Sequence, residues 1–555
     1  MRKFHLIKNI KAPVLLGLVC TFMSCNSFLE DGIDTILQED NYFENQNKVE
    51  RGIGAIYAEV GEIFGPHFGD PANGAFVAGP LYDIILLPGD DITTNNDNGR
   101  DFDGFYITSD NSHIWSYWSI LYAIINRTNF MLEKLNDPAI QAVCTTPGYA
   151  DWCKGECYFI RGWINMMLWN HFRKAPNQNM RIKSLGTSSL PPTVGFELLD
   201  QAITDLKQAE QLLPKSWDEK NKGRAFKNSA RGMLVKCYTL RANYAKQYNG
   251  DSQEDYKNAI SAFESMDETT TIVGVPFGDN FDYRTENNAE SLFEYQASTN
   301  PQRGDNPWLD NNWGGVSGPM GVIYLEFYEN YYTFSCVYGP TDKLISIFEN
   351  ADPRKAETVH IVSDQVDPQY SWLNPSDWGN TFNGWQFVKY INGARRGPLD
   401  PTFGVTSCNN PRILRFADVK LLAAEAYLET GDETSARKQV NDVRKRARLS
   451  TVDGTEAAVP ADYTRTITMD DIMDERLKEL AGEPFIRWMD LRRWHVAGFI
   501  NLDEWAKAPV EKWGYSSTKS KLQFESATHL LFPIPYAEMT SNSLMMGTGN
   551  NPGYN

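Results

Sequence analysis

Apolar side chains recur at three- and four-residue steps through most of the chain, the period of helices that bury one stripe. The pattern predicts helices over about 44–64, 115–135, 151–172, 195–213, 229–246 and 255–266. Trp118, Leu121, Ile125 and Leu132 share one face of the second, and Ile160, Trp163, Met167 and His171 one face of the third. Gly52, Gly54 and Gly61 interrupt the first and weaken it. Further on, 412–430 and 432–448 read as a helical hairpin. Gly431 stops its first arm, Asp432 stands where it caps the second, and Ala436, Val440, Val443 and Ala447 recur at helical spacing. Alanine-rich helix pairs joined by tight turns predict a mostly α fold with tetratricopeptide-like packing, although no strict 34-residue period runs through it. Two regions lack the helical period. Residues 80–112 are dense in Pro-Gly-Asp-Asp and Asp-Asn-Gly turn chemistry, and 270–408 in Gly, Pro, Asn and Trp.

The first residues follow a different rule. Arg2, Lys3, Lys8 and Lys11 precede an almost uncharged run from Ala12 to Met23, too short to span a bilayer but suited to the apolar core of a signal peptide. It closes on Phe22-Met23-Ser24-Cys25, which resembles a bacterial lipobox, so Cys25 is the expected lipidation site and an acyl anchor is expected to hold the protein at a membrane. The expected organisation is a signal peptide over 1–24, a lipidated tether over 25–43 and one body over 44–555. That body divides into a helical part to about 270, a loop-rich insert over about 271–410 and a second helical part. Without the leader the net charge falls from −18 to about −22. A polyanion is repelled by such a field, so nucleic acid is not an expected partner.

Candidate chemistry is sparse. There is no P-loop, no Gly-x-Ser-x-Gly elbow and no His-Glu-x-x-His, and the histidines are scattered. Six cysteines follow Cys25, at 144, 153, 157, 237, 336 and 408; no histidine or second pair stands at ligand spacing around Cys153 and Cys157, so buried or disulfide-linked thiols are expected there. Gly99-Arg-Asp-Phe-Asp-Gly104 imitates a calcium loop, but Gly99 offers no side-chain ligand and Asp110 stands where the loop needs a longer Glu. A looser set of Asp97, Asp101 and Asp103 stays open; no metal or cofactor is assigned. Paired carboxylates for glycoside hydrolysis need only a separation in space, which spacing does not test.

The richest stretch runs from Asp474 to Trp494. Glu475, Glu479 and Glu483 repeat every four residues; Arg487, Asp490 and Arg493 follow at threes, while Leu480, Trp488, Leu491 and Trp494 face inward. It reads either as an acid–base site or as ion pairs pinning two helices, and the second reading is adopted. Glu475, Arg476, Glu479, Leu480, Glu483, Arg487, Asp490, Leu491, Arg493 and Trp494 resemble the C-terminal motif of SusD/RagB proteins, surface nutrient-binding lipoproteins of Bacteroidetes, with Pro484 where glycine is usual. The hairpin from Arg415, the stretch with Trp118, Tyr122, Ile125, Arg127 and Asn129, and the closing Phe532-Pro-Ile-Pro535 and Asn551-Pro-Gly-Tyr554 are similar to the family's other signatures.

The resemblance implies a non-catalytic helical scaffold carrying a loop-built binding face, seated over a SusC-like TonB-dependent transporter in the outer membrane and facing the cell exterior. It implies an oligosaccharide ligand, or in some members a peptide. A glycoside hydrolase on the same scaffold is the remaining alternative. Ligand residues do not transfer, so they are read from chemistry: a sugar needs aromatic platforms beside amides and charges. Three runs supply them: Asn96, Asn98, Arg100, Asp101, Phe102 and Phe105; Trp308, Asp310, Asn311 and Trp313; and Trp372 and Trp378.

Overall fold

All the helices expected from apolar spacing are present in the computed structural model of the chain, which describes residues 42–64, 67–70, 75–77, 84–94, 100–184, 188–296, 338–361, 385–390, 409–514 and 522–554. They are α1 (Gln46–Gly61), α2 (Ser112–Leu135), α3 (Tyr149–Phe172), α4 (Glu197–Leu212), α5 (Lys227–Tyr248), α6 (Ser252–Glu264), α7 (Phe416–Glu429) and α8 (Glu433–Arg448). α9 (Met469–Leu480) and α10 (Arg487–Ala497) follow. From α1 to α8 each helix packs on the next, while α9 lies on α7 and α10 on α5. The fold is mostly α.

Local chemistry sets the helix ends. The Asn111 carbonyl oxygen of the side chain accepts from the His113 and Ile114 N–H groups at 2.9 and 3.3 Å and starts α2. Gly431 sits at φ +88°, and the Asp432 carboxylate accepts from the Ser435 N–H at 3.0 Å, so the α7–α8 hairpin turns where the sequence predicts. Gly52 does not break α1: a side chain there would lie 2.7 Å from Met131 Sδ, so the glycine is the contact point between α1 and α2. One large apolar core runs under α1–α5 and α10, and a smaller one, with Leu421, Val440 and Ile472, joins α7, α8 and α9.

Two expectations change. Arg412–Arg415 is strand β8, paired antiparallel with β4 (Ser291–Glu294), and α7 begins only at Phe416. The extended backbone delivers Arg415 to buried carboxylates that a helical start would not reach. Inside 270–408 stand two short helices, Asp342–Ile347 and Pro353–Thr358, each started by a local cap: Thr341 accepts from the Leu344 N–H, and Asp352 from the Arg354 N–H ahead of Pro353. The remaining strands, β1 (His67–Asp70) with β2 (Ala75–Val77), β3 (Ile92–Thr94) with β5 (Tyr338–Pro340), and β6 (Val359–Ile361) with β7 (Trp385–Phe387), form three further antiparallel ladders.

Candidate ligand-binding face

Two of those ladders gather the roots of the candidate loops. In the β3–β5 pair Thr94 lies opposite Tyr338, so the chain departs toward 95–99 beside the point where it returns from 297–337. In the β6–β7 pair Ile361 lies opposite Trp385, which closes the two ends of 362–384 together. β5 lies against β7, bringing the two ladders side by side. The ends of 515–521 join them: the Asp342 N–H donates to the Gly514 carbonyl at 2.9 Å, and the Gln523 N–H to the Gly104 carbonyl at 3.0 Å.

Beneath this frame Asp90 and Asp91 are fully buried. The Asp90 carboxylate accepts from Arg487 Nε at 2.5 Å and from Lys343 Nζ at 2.5 Å, and its carbonyl from the Thr341 hydroxyl at 2.7 Å. Burial alone would raise its carboxyl; the two cations outweigh that and hold it well below the usual range. The Asp91 carboxylate faces no cation within bonding distance among the described residues; it accepts from the Gly482 N–H at 2.8 Å, and burial beside the Asp90 charge pushes it up to about 6. Trp513 donates to the Gly89 carbonyl at 3.0 Å. The Pro-Gly-Asp-Asp spacing reads as turn chemistry, and the one sequence signal of a buried role is two acids set between apolar runs.

The first candidate run divides. Phe102 and Phe105 are 0% and 2% exposed and are corrected from platforms to core. Phe105, at φ +62°, is ringed by Trp488, Trp513, Phe524 and His529 with centroids 5.0–5.7 Å away, so no face of it meets a ligand. Phe102 lies 6.0 Å from the His113 ring and 6.1 Å from Phe532. Arg100 opens the short helix Arg100–Asp103, and Asp101 is partly exposed, accepting from Asn111 Nδ2 at 3.3 Å. Asp103 is turned inward to the Thr93 hydroxyl and the Thr94 N–H. Asn96, Asn98, Trp308, Asp310, Asn311, Trp313, Trp372 and Trp378 lie outside the described residues, as do Asp97 and Cys25. At the frame itself Tyr106 is 39% exposed, and Trp385 is half-buried with Lys355 Nζ 5.5 Å above its ring.

The acidic and basic stretch of α9 and α10 is structural. Glu479 accepts from Arg354 at 3.0 Å and Arg415 at 2.6 Å, and also from Arg446. Glu483 pairs with Arg415 at 2.7 Å and Lys389 at 2.8 Å, and Glu475 with Arg354 at 2.7 Å and Arg444 at 2.8 Å. Arg476 bridges Asp418 and Asp490, while Arg493 joins Asp490 to Glu425. Burial raises the Glu479 and Glu483 carboxyls, but the surrounding guanidiniums and Lys389 win; Glu479 is lowered to about 2. Such carboxylates are ionised and fully occupied, with no proton to give near neutrality. The pairs tie α7, α8, α9 and α10 together, as the ion-pair reading expects. Three of the four described cysteines, Cys153, Cys157 and Cys237, are buried and Cys144 is half-buried; all four are free thiols.

The helical scaffold thus roots three of its loop segments side by side on two neighbouring ladders, and proteins with the same scaffold are known. The profile of the family described as "SusD family" matches residues 279–554, and one described as "Starch-binding associating with outer membrane" matches 89–239. SusD-like protein P2 of Formosa agariphila is 24% identical, over 97% of this chain and 98% of its own length. The crystal structure of a SusD homolog from Bacteroides thetaiotaomicron, 19% identical, superposes with a TM-score of 0.70 over 93% of this chain and 98% of the other. A laminarin-binding SusD-like protein does so at 0.66 over 92% and 100%, with 20% identity. The chain belongs to the SusD/RagB family.

Proposed function

We propose that the chain captures an oligosaccharide at the cell surface and passes it to a SusC-like TonB-dependent transporter in the outer membrane, held there by a lipid on Cys25. One observation carries the ligand half of the reading: the amide-rich segment 95–99 and the Trp- and amide-bearing segments 297–337 and 362–384 are rooted side by side on two neighbouring ladders. A protein that needed them only for packing has no reason to gather them. Supporting it are the starch-binding and outer-membrane description of the matching family and the laminarin ligand of one relative. Trp308 and Trp313 are the proposed platforms, with Asp310 and Asn311 beside them for hydroxyls.

Calorimetric titration of the purified chain with a panel of glycans and of peptides tests this. Binding to one glycan class, weakened at least about tenfold in Trp308→Ala or Trp313→Ala by loss of a stacking face, is the expected result. Peptide binding alone would move the ligand class, and release of shortened sugar from a bound glycan would favour a hydrolase. Unchanged affinity in both variants removes the platforms. Separately, Cys25→Ala is expected to shift the protein from the membrane to the soluble fraction, and retention there would reject the anchor.

A further inference from the structure

α3 ends at Phe172, and of its last four carbonyls only that of Trp169 keeps a helical donor, the Arg173 N–H at 3.1 Å; all four also accept from groups outside the helix. The Trp169 carbonyl accepts from Arg173 Nη1 at 2.5 Å, that of Asn170 from Arg492 Nη1 at 2.6 Å, that of His171 from the Phe532 N–H at 2.8 Å, and that of Phe172 from Asn551 Nδ2 at 2.9 Å. Two guanidiniums therefore converge on one helix end, and both are buried, Arg492 at 0% and Arg173 at 7% exposure.

Neither makes an ion pair among the described residues. Arg492 otherwise donates only to the Trp488 and Leu530 carbonyls, and the groups acting on its charge are Tyr244, Arg173 and Tyr117, none of them a carboxylate. That isolation sets these two apart from Arg354, Arg415, Arg476 and Arg493, each of which faces acids. The helix end offers about half a negative charge against two positive ones, which leaves about one and a half charges uncompensated in a dry interior. His171 does not add to it: burial, with the two cations, drives its pKa well below the usual value, and its Nδ1 is 2.9 Å from the Tyr117 hydroxyl.

Donors also stand idle at this place. Nη2 of Arg173, Nη2 of Arg492, the Tyr244 hydroxyl and Nδ2 of Asn170 are all buried without a hydrogen-bond partner among the described residues. Arg173 lies against both the Trp169 ring, 3.5 Å from its centroid, and the Tyr244 ring, 4.2 Å from its centroid, which fixes the guanidinium beside that hydroxyl's own ring. The Nη1 atoms cover the carbonyls, so the Nη2 atoms are what a ligand would meet. Water satisfies such donors but leaves the charge; a monovalent anion does both.

We propose that Arg173 and Arg492, with the Tyr244 hydroxyl and the Asn170 amide, bind one buried halide-sized anion at the C-terminal end of α3. The ion clasps α3, α5 and α10 together through residues other than those proposed to hold the nutrient. The test uses the full mature chain. Crystals soaked in sodium bromide and measured above the bromine edge are expected to show an anomalous peak between the two guanidiniums. Thermal melts at fixed ionic strength are expected to rise as chloride replaces methanesulfonate, and to saturate. Tyr244→Phe, which keeps both cations and the ring, is expected to raise the chloride concentration for half effect about tenfold, the order of one hydrogen bond to a charged group. Arg492→Gln is expected to abolish the dependence. Melts identical in chloride and methanesulfonate, with no bromide peak, would overturn the proposal in favour of water alone, whether or not the Arg492 variant folds.

Discussion

Replacing Glu479 by glutamine removes one negative charge from a lattice that is neutral only as a whole. Arg354, Lys389, Arg415, Arg444 and Arg446 face Glu290, Asp352, Glu475, Glu479 and Glu483, all of them buried. Glutamine keeps the shape but leaves an unmatched positive charge among three guanidiniums, a loss of about 3–5 kcal/mol, whereas an exposed pair would lose about 0–1. Unfolding entropy of about 2.1 cal/mol/K per residue makes a chain of this size lose only about 1 °C per kcal/mol, so the melting temperature falls by a mere ~3–5 °C. Urea titration followed by tryptophan fluorescence is the sharper assay. The double variant Glu479→Gln/Arg446→Gln restores neutrality and is expected to recover part of the loss, so the two changes are not additive. A pH series adds a second readout. Because Glu479 is lowered to about 2 in the fold, its contribution is complete above about 4.5 and disappears as pH falls from there toward 2. The variant lacks that component of the slope. A loss under about 1 kcal/mol, or an unaltered acid limb, refutes the lattice argument.

Asp91 has the opposite sign: raised to about 6 in the fold, it costs stability as pH climbs from about 4 through 6, so Asp91→Asn is expected to gain stability at pH 8 relative to pH 4.5, read by parallel urea titrations. Asn111→Ala, which uncaps α2, is expected to lose about 1 kcal/mol in the same assay, with little change in circular dichroism. Gly482 sits at φ +69°, and a side chain there would overlap the Phe387 ring; Gly482→Ala is expected to lose over about 2 kcal/mol. Burial pushes the Cys153, Cys157 and Cys237 thiols up, so alkylation of the native chain mapped by mass spectrometry is expected to label Cys144 first among these and the other three only on unfolding.

Helices were legible because each announces itself within one span: α2 and α3 lie within three residues of their predicted starts at 115 and 151, and Gly431–Asp432 punctuates the hairpin as read. β8 was not, since Arg412-Ile-Leu-Arg415 differs from a helix start only through Glu290, Glu479 and Glu483, each distant along the chain. The same distance misled the site. Phe102 and Phe105 sit among amides and acids in sequence, and what buries Phe105 is Trp488, Trp513 and Phe524 from the far end of the protein. Asp90 and Asp91 read as a turn because their partners, Arg487, Lys343 and Gly482, lie hundreds of residues away. The α9–α10 motif was readable as ion pairs from its spacing, though the cations from Arg354, Lys389, Arg415 and Arg446 were not.

The ladders that root the loops have a consequence for engineering. Thr93 pairs with Gly339 and His360 with Gln386 through backbone hydrogen bonding that is indifferent to what is spliced beyond Thr94, Tyr338, Ile361 and Trp385. Closing a longer span costs only about 0.6 kcal/mol per doubling of its length. The chain is thus built like a socket with standard pins: segments of new length and composition plug in at those four residues, and retargeting needs no redesign of the helices below.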